Sequence, residues 1–256
     1  MRVVIVGSGH VAEALAIGLH EAGVEVAQIF ARNEARGRAI AALAATTWSA
    51  TKPAVADIYL IAVSDRAVAE VAASLDVPEG AIVAHTAGCC SIETLPAEVR
   101  RGVFYPFQTF SSGRRVDFSK IYIFVEAEDT TTREALEGLA GRLTHHVEQA
   151  DSARRATIHL SGVFVSNFVN CMYADAADVL AEVGLKFDVL APIALEAALK
   201  AGESGNPVAV QTGPARRGDT PTLDRHRTML ASKPKLLDLY NKISENICHN
   251  TKTSKR

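Results

Sequence analysis

Short β-branched runs alternate with amphipathic stretches through roughly the first 150 residues. Arg2 to Val6, Val24 to Phe30 and Asp57 to Val63 are apolar without polar alternation, the pattern of strands buried on both faces. The run AIVAHTAG reads as a fourth strand, and Gly102 to Tyr105, Ile121 to Val125 and His145 to Glu148 as shorter ones. Trp48 sits in a weakly patterned stretch with room for one more. Helical patterns fill the gaps. One follows the Gly-rich turn to about Ala22, where Gly23 supplies a C-terminal cap. Others cover Glu34 to Ala45, about Arg66 to Leu75, and Thr131 to Arg142. Such alternation predicts a doubly wound, mostly parallel α/β sheet with right-handed crossovers.

From Asp151 the strand signals stop. Asp151 or Ser152 caps a long helix expected to reach about Val183, closed by Gly184. Further helices are expected at Val189 to Ala201, Thr222 to Met229 and Pro234 to Cys248, with a solvated basic tail from Asn250. The chain thus reads as an α/β domain over 1–150 and an all-α domain over 151–256.

Composition narrows the function classes. The 256 residues carry 27 Lys+Arg against 29 Asp+Glu, a net charge of -2 that offers no electrostatic basis for binding nucleic acid or a membrane surface. No apolar run approaches the ~18 residues of a membrane span. The opening MRVVIVGSGH reads as a strand and turn, not a secretory signal. Cys89, Cys90, Cys171 and Cys248 lack metal-site spacing, so reduced thiols in a cytoplasmic protein and no metal centre are expected.

The sharpest chemical signal is Gly7-Ser8-Gly9-His10-Val11-Ala12, a G-x-G-x-x-A turn set between a strand and a helix. Gly7 permits the tight turn, Gly9 lets backbone approach a pyrophosphate, and Ala12 allows close helix–strand packing. The helix N-terminus offers N–H groups to the phosphates. A Rossmann-like dinucleotide site follows. At the tip of the second strand stands Ala31-Arg32-Asn33, with no carboxylate to take the ribose hydroxyls. Arg32 is expected to clamp a 2′-phosphate with Arg36 as a second contact, which favours NADP(H) over NAD(H). Ser64 and Asp65 end the third clear strand and border the same crevice, although Asp65 also reads as an N-cap. Small Thr86, Ala87 and Gly88 leave room for a nicotinamide ring. His85, at the end of a central strand, is either a general acid/base in the crevice or a backbone-bonded structural histidine.

In chain order, GSGHVA, AVSD, HTAG, FYPFQTF, HLSGVFVSNFVNCMYADA and TGPARRGD make the sequence resemble a bacterial family along nearly its whole length. That family joins a Rossmann-like domain to a helical domain of unknown function, DUF2520. Its members carry a provisional NADP oxidoreductase label, through likeness to pyrroline-5-carboxylate reductase and F420-dependent NADP reductases. The resemblance implies the fold and the cofactor but no substrate. Related hydroxyacid dehydrogenases use a Lys and an Asn one turn apart. Here Asn167 is present, but Val163 stands one turn earlier, so that mechanism is not expected.

At about 100° per residue, the long helix places Ser166 and Asn170 within about 20° of His159, and Asn167 about 80° away. This uncharged polar stripe suits the wall of an interdomain cleft holding a small polar substrate. Either His85 or His159 is expected to handle the proton, while Asn167 orients the substrate. Gln108 and Thr109 are expected to bond a carboxamide or carboxylate. Arg217 either forms a structural ion pair with Asp219 or receives an anionic substrate. The apolar side, with Leu160, Phe164, Val165, Phe168 and Met172, predicts a homodimer through the helical domain. The residues point to hydride transfer, with a non-catalytic dinucleotide sensor or partner-binding module as the alternative. Open space beside the nicotinamide distinguishes the two.

Overall fold

The computed structural model describes residues 1–253 and divides them into two compact units, Met1–Asn167 and a second beginning at Phe168. In the first unit, eight strands form one sheet: β1 (Arg2–Val6), β2 (Glu25–Phe30), β3 (Thr47–Ser49), β4 (Ile58–Ile61), β5 (Ile82–His85), β6 (Arg100–Pro106), β7 (Ile123–Ala127) and β8 (Val147–Gln149). Their order is β3-β2-β1-β4-β5-β6-β7-β8. Neighbours run parallel except β6 and β7, which are antiparallel. The doubly wound α/β reading therefore holds. The weak Trp48 stretch is indeed a strand, held because the indole packs against Gly37 and donates to the Ala31 carbonyl at 3.0 Å.

Strand parity builds two cores, because successive side chains point to opposite faces. On one face Val3 and Ile5 pack with Leu15 and Leu19 of α1 (His10–Glu21), Ile40 of α2 (Glu34–Leu43) and Leu136 of α4 (Thr130–Ala140). On the other, Val4 and Val6 pack with Val68 of α3 (Val68–Ser74). Farther along that second face, Val103, Tyr105 and Phe124 form a separate cluster with Ile158 of α5 (Ser152–Val163).

The long helix is not continuous α-helix. A π-helical turn, Phe164–Phe168, separates α5 from α6 (Val169–Ala181). The second unit continues with α7 (Ala191–Ser204), α8 (Pro214–Arg217), α9 (Thr220–Met229) and α10 (Pro234–Thr253). The expected tail is thus helical to Thr253, and residues 254–256 lie outside the described residues. Asp219 caps α9, accepting from the Thr222 N–H at 3.2 Å and the Thr222 hydroxyl at 2.8 Å. Its carboxylate is engaged there rather than in an ion pair with Arg217. No described helix is long and apolar enough to cross a membrane.

His85 ends β5 with no exposed surface. Its Nδ1 accepts the Ala87 N–H at 3.2 Å, which leaves Nε2 to donate to the Ser91 carbonyl at 3.3 Å. Both nitrogens are engaged with backbone, which matches the structural alternative: His85 ties down the loop after β5. Burial, and then the Arg155 cation, lower its pKa from 6.5 to about 4. In that window the unfolded chain takes up a proton that the folded ring does not accept. The stability this group contributes is present above about pH 6.5 and lost as pH falls toward 4, by about 3 kcal/mol. Urea unfolding of His85→Asn between pH 7 and 4.5 should show a flatter pH dependence than the parent. Identical slopes would refute a neutral buried His85.

Candidate active site

The turn after β1 combines two glycines with different reasons. Gly7 has φ +125°, and a Cβ there would overlap the Ala62 carbonyl, so the fold itself demands glycine. Gly9 is ordinary extended backbone, and the nearest atom to a Cβ built there is the Ala62 oxygen at 4.0 Å. Packing leaves that space open. Gly9 is also the N-cap of α1 and provides no side-chain cap, so the first-turn N–H groups are left for a ligand. Ala12 is fully buried, as close helix–strand packing requires.

These residues open onto a cavity of about 1090 Å³, ample for a dinucleotide. Gly7, Ser8, Gly9, His10 and Val11 line one side, and Arg32 and Asn33 line another, with Ser64, Gln108 and Phe110 completing the wall. Arg32 is exposed and makes no hydrogen bond or ion pair among the described residues. Asn33 caps α2, its Oδ1 accepting the Arg36 N–H at 3.0 Å.

Several expected contacts are reassigned. Arg36 is absent from the cavity wall because Glu13 lies within its reach. Its guanidinium donates to Glu13 at 2.6 Å and to the Ser112 hydroxyl at 3.4 Å. Asp65 starts a 3-10 turn and does not line the cavity. Nor do Thr86 and Ala87, which are buried; the Thr86 hydroxyl donates to the Ile61 carbonyl at 3.3 Å. The glycine beside them makes room for a side chain instead: a Cβ on Gly88 would overlap the His159 ring.

A second cavity of about 160 Å³ lies beside the first, within the same unit. It is lined by Tyr105, Gln108, Thr109, His159, Ser166 and Asn167, with Phe107, Val163 and Val165 as its apolar side. Gln108 borders both cavities. Its Oε1 accepts the Thr109 N–H at 2.8 Å and the Thr109 hydroxyl at 3.3 Å, leaving its amide donors for a ligand. Tyr105 and His159 share a hydrogen bond of 3.0 Å between the phenol oxygen and Nδ1. Burial pushes the Tyr105 pKa up to about 12, so it remains a neutral phenol.

Tyr105 is a residue of the small cavity that sequence reasoning read as the end of a strand. Its aromatic context, stacked on Phe124, matches core packing, and only the pairing with His159 reveals the polar end. The 100° projection also fails beyond Val163, because the π turn rewinds the helix. His159, Ser166 and Asn167 still share the small cavity, whereas Asn170 belongs to the second unit.

Residues 2–88 match the family described as "NADP oxidoreductase coenzyme F420-dependent", and residues 121–247 match a domain of unknown function, DUF2520. A Bacteroides fragilis protein provisionally named an NADP oxidoreductase is 36% identical, with a TM-score of 0.90 over 97% of this chain and 98% of its own. A Thermotoga maritima protein is 19% identical, with a TM-score of 0.77 over 99% and 100% of the two chains. A reductive aminase from Aspergillus terreus, solved with NADPH4, cyclohexanone and allyl amine, shares the fold at 14% identity, with a TM-score of 0.69 over 96% of this chain and 92% of its own. No curated protein matches the sequence. The glycine turn, the uncapped helix and the unpaired arginine at the strand tip accord with these likenesses, and the chain belongs to the family of NADP oxidoreductases that carry a DUF2520 domain.

Proposed function

We propose that this chain is an NADP(H)-dependent oxidoreductase acting on a small polar molecule held beside Tyr105 and His159. The observation that carries the reading is the junction at Gln108 between a dinucleotide-sized cavity and a small one that brings polar groups of Tyr105, His159, Ser166 and Asn167 to a largely apolar wall. A non-catalytic sensor has no use for that second space, and its openness favours an enzyme. The Gly7–Val11 turn would receive the pyrophosphate through its backbone N–H groups. Arg32, free of other partners, would hold the 2′-phosphate through its planar fork. When bound, NADPH supplies a hydride. Tyr105 and His159 hold the proton that balances it, at the phenol oxygen and the imidazole nitrogen. Ser166 and Asn167 orient the substrate, and Phe107 with Val163 excludes water from its apolar side. The reductive aminase likeness supports a carbonyl or imine as the group reduced.

We further propose a homodimer through the helical unit. Helices α6 and α7 contain no buried residue, and Ile193, Leu195 and Leu199 of α7 are 69%, 66% and 57% exposed. A 14-residue helix without tertiary burial is marginal in water, so a second copy is the cover these side chains fit.

Three outcomes are expected. In calorimetric titrations the parent binds NADPH much more tightly than NADH. Arg32→Ala weakens NADPH about 10- to 100-fold and leaves NADH unchanged, whereas Gly9→Ala weakens both without loss of thermal stability. Failure of all four nicotinamide dinucleotides to bind would end the oxidoreductase reading. With a substrate found by following NADPH oxidation, Tyr105→Phe and His159→Gln lower turnover about 100-fold or more while NADPH affinity stays within about twofold. Normal turnover in both would remove the pair from the mechanism. Light scattering at micromolar concentration should give a dimer that Leu195→Glu with Leu199→Glu converts to monomer; a monomeric parent would defeat that assignment.

A further inference from the structure

The largest fully buried side chain in the protein is charged. Arg155 has no exposed surface, yet its guanidinium bridges three separate segments. One Nη donates to the Glu126 carboxylate on β7, and the other to the Cys90 carbonyl in the loop after β5 and to the Ser152 hydroxyl at 3.2 Å. Ser152 extends the knot: its N–H donates to Glu126 at 3.0 Å, and its oxygen accepts the Ile92 N–H at 3.1 Å.

The spacing of this knot relative to the site is what gives it consequence. In the β6–β7 ladder Val103 faces Glu126, and two residues farther on Tyr105 faces Phe124. Those two levels are about 6.6 Å apart along the sheet. On α5, Arg155 and His159 lie on one face, four residues or about 6 Å apart. Locking Arg155 to Glu126 therefore brings His159 to the level of Tyr105. The same helix face meets the loop after β5 at two points, Arg155 at the Cys90 carbonyl and His159 against Gly88.

We infer that Arg155 is the positioning residue of the site, setting the register of α5 on the sheet so that His159 meets the Tyr105 hydroxyl. This rests on the proposed role of the Tyr105–His159 pair. A single ammonium cannot bridge Glu126 and the Cys90 carbonyl as the fork does, so lysine is not an equivalent. Removing the arginine alone would strand a poorly hydrated carboxylate and threaten folding. The test therefore uses two gentler variants, Arg155→Lys and the charge-free pair Arg155→Met with Glu126→Gln.

The readout is the ¹⁵N spectrum of histidine-labelled protein, with His159 identified by its loss in His159→Asn. In the parent, the His159 Nδ1 signal should shift on Tyr105→Phe. In both positioning variants it should move to the Tyr105→Phe value, while cooperative thermal unfolding persists and NADPH affinity stays within about twofold. A parent-like His159 signal in either folded variant would overturn the inference and leave Arg155 a purely structural ion pair. A parent that binds no dinucleotide would instead sink the oxidoreductase reading, and the His159 signal would still decide the role of Arg155.

Discussion

The close approach of β1 and β4 governs the dinucleotide end of the molecule. The Val6 carbonyl accepts the Ala62 N–H at 2.8 Å, and Gly7 then turns with its α-carbon against the Ala62 carbonyl. The Gly7 N–H donates to the Phe30 carbonyl at 2.8 Å, so the same residue joins the tips of β1 and β2. Strand order diverges here: β2 and β3 lie to one side of β1, while β4 to β8 lie to the other. A crevice must open where the connections part. Any side chain on Gly7 would push the turn away from Ala62 and close the path to the α1 N-terminus.

What sequence conveyed best was whatever depends on neighbours close along the chain. The glycine turn, the uncapped start of α1 and the exposed Arg32 belong to one short strand–turn–helix unit and its successor, and pattern suffices to read them. Arg36 failed because its partner Glu13 comes from another helix, a pairing that no local periodicity announces. His85 stayed open between two readings for a related reason. A strand-end histidine reads as facing the crevice, but its acceptor, the Ser91 carbonyl, becomes available only once the following loop folds back. The π turn was invisible because residues 164–168 carry no glycine or proline to mark it.

The second sheet face shows how a core becomes a site. Val103, Tyr105 and Phe124 form a conventional apolar cluster, extended by Phe107 and Ile158. Phe107 lies in the space that a Cβ on Gly162 would need, so α5 comes close to the aromatic layer. Polarity enters only at the edge of this cluster, where the Tyr105 hydroxyl emerges beside His159. The aromatic bodies hold the geometry, and the hydroxyl end is the polar group presented to the small cavity. Precision here comes from packing, and a loop-borne acid/base group would lack it.

Charge is divided between the two cavities in a way that suits hydride chemistry. Arg32 is the only Lys or Arg among the described residues lining the large cavity, and Glu70 is the only Asp or Glu among them. The small cavity is lined by no Lys, Arg, Asp or Glu. Elsewhere in the unit Arg155 pairs with Glu126 and Arg36 with Glu13. A fixed charge beside the reacting carbon would favour one protonation state of substrate and product over the other. The phenol of Tyr105, held neutral by burial and hydrogen-bonded to the His159 ring, places no fixed charge of its own in this partly buried site. Val163 stands at the helical position where the hydroxyacid dehydrogenases carry lysine, and the Tyr105–His159 pair is assembled from β6 and α5.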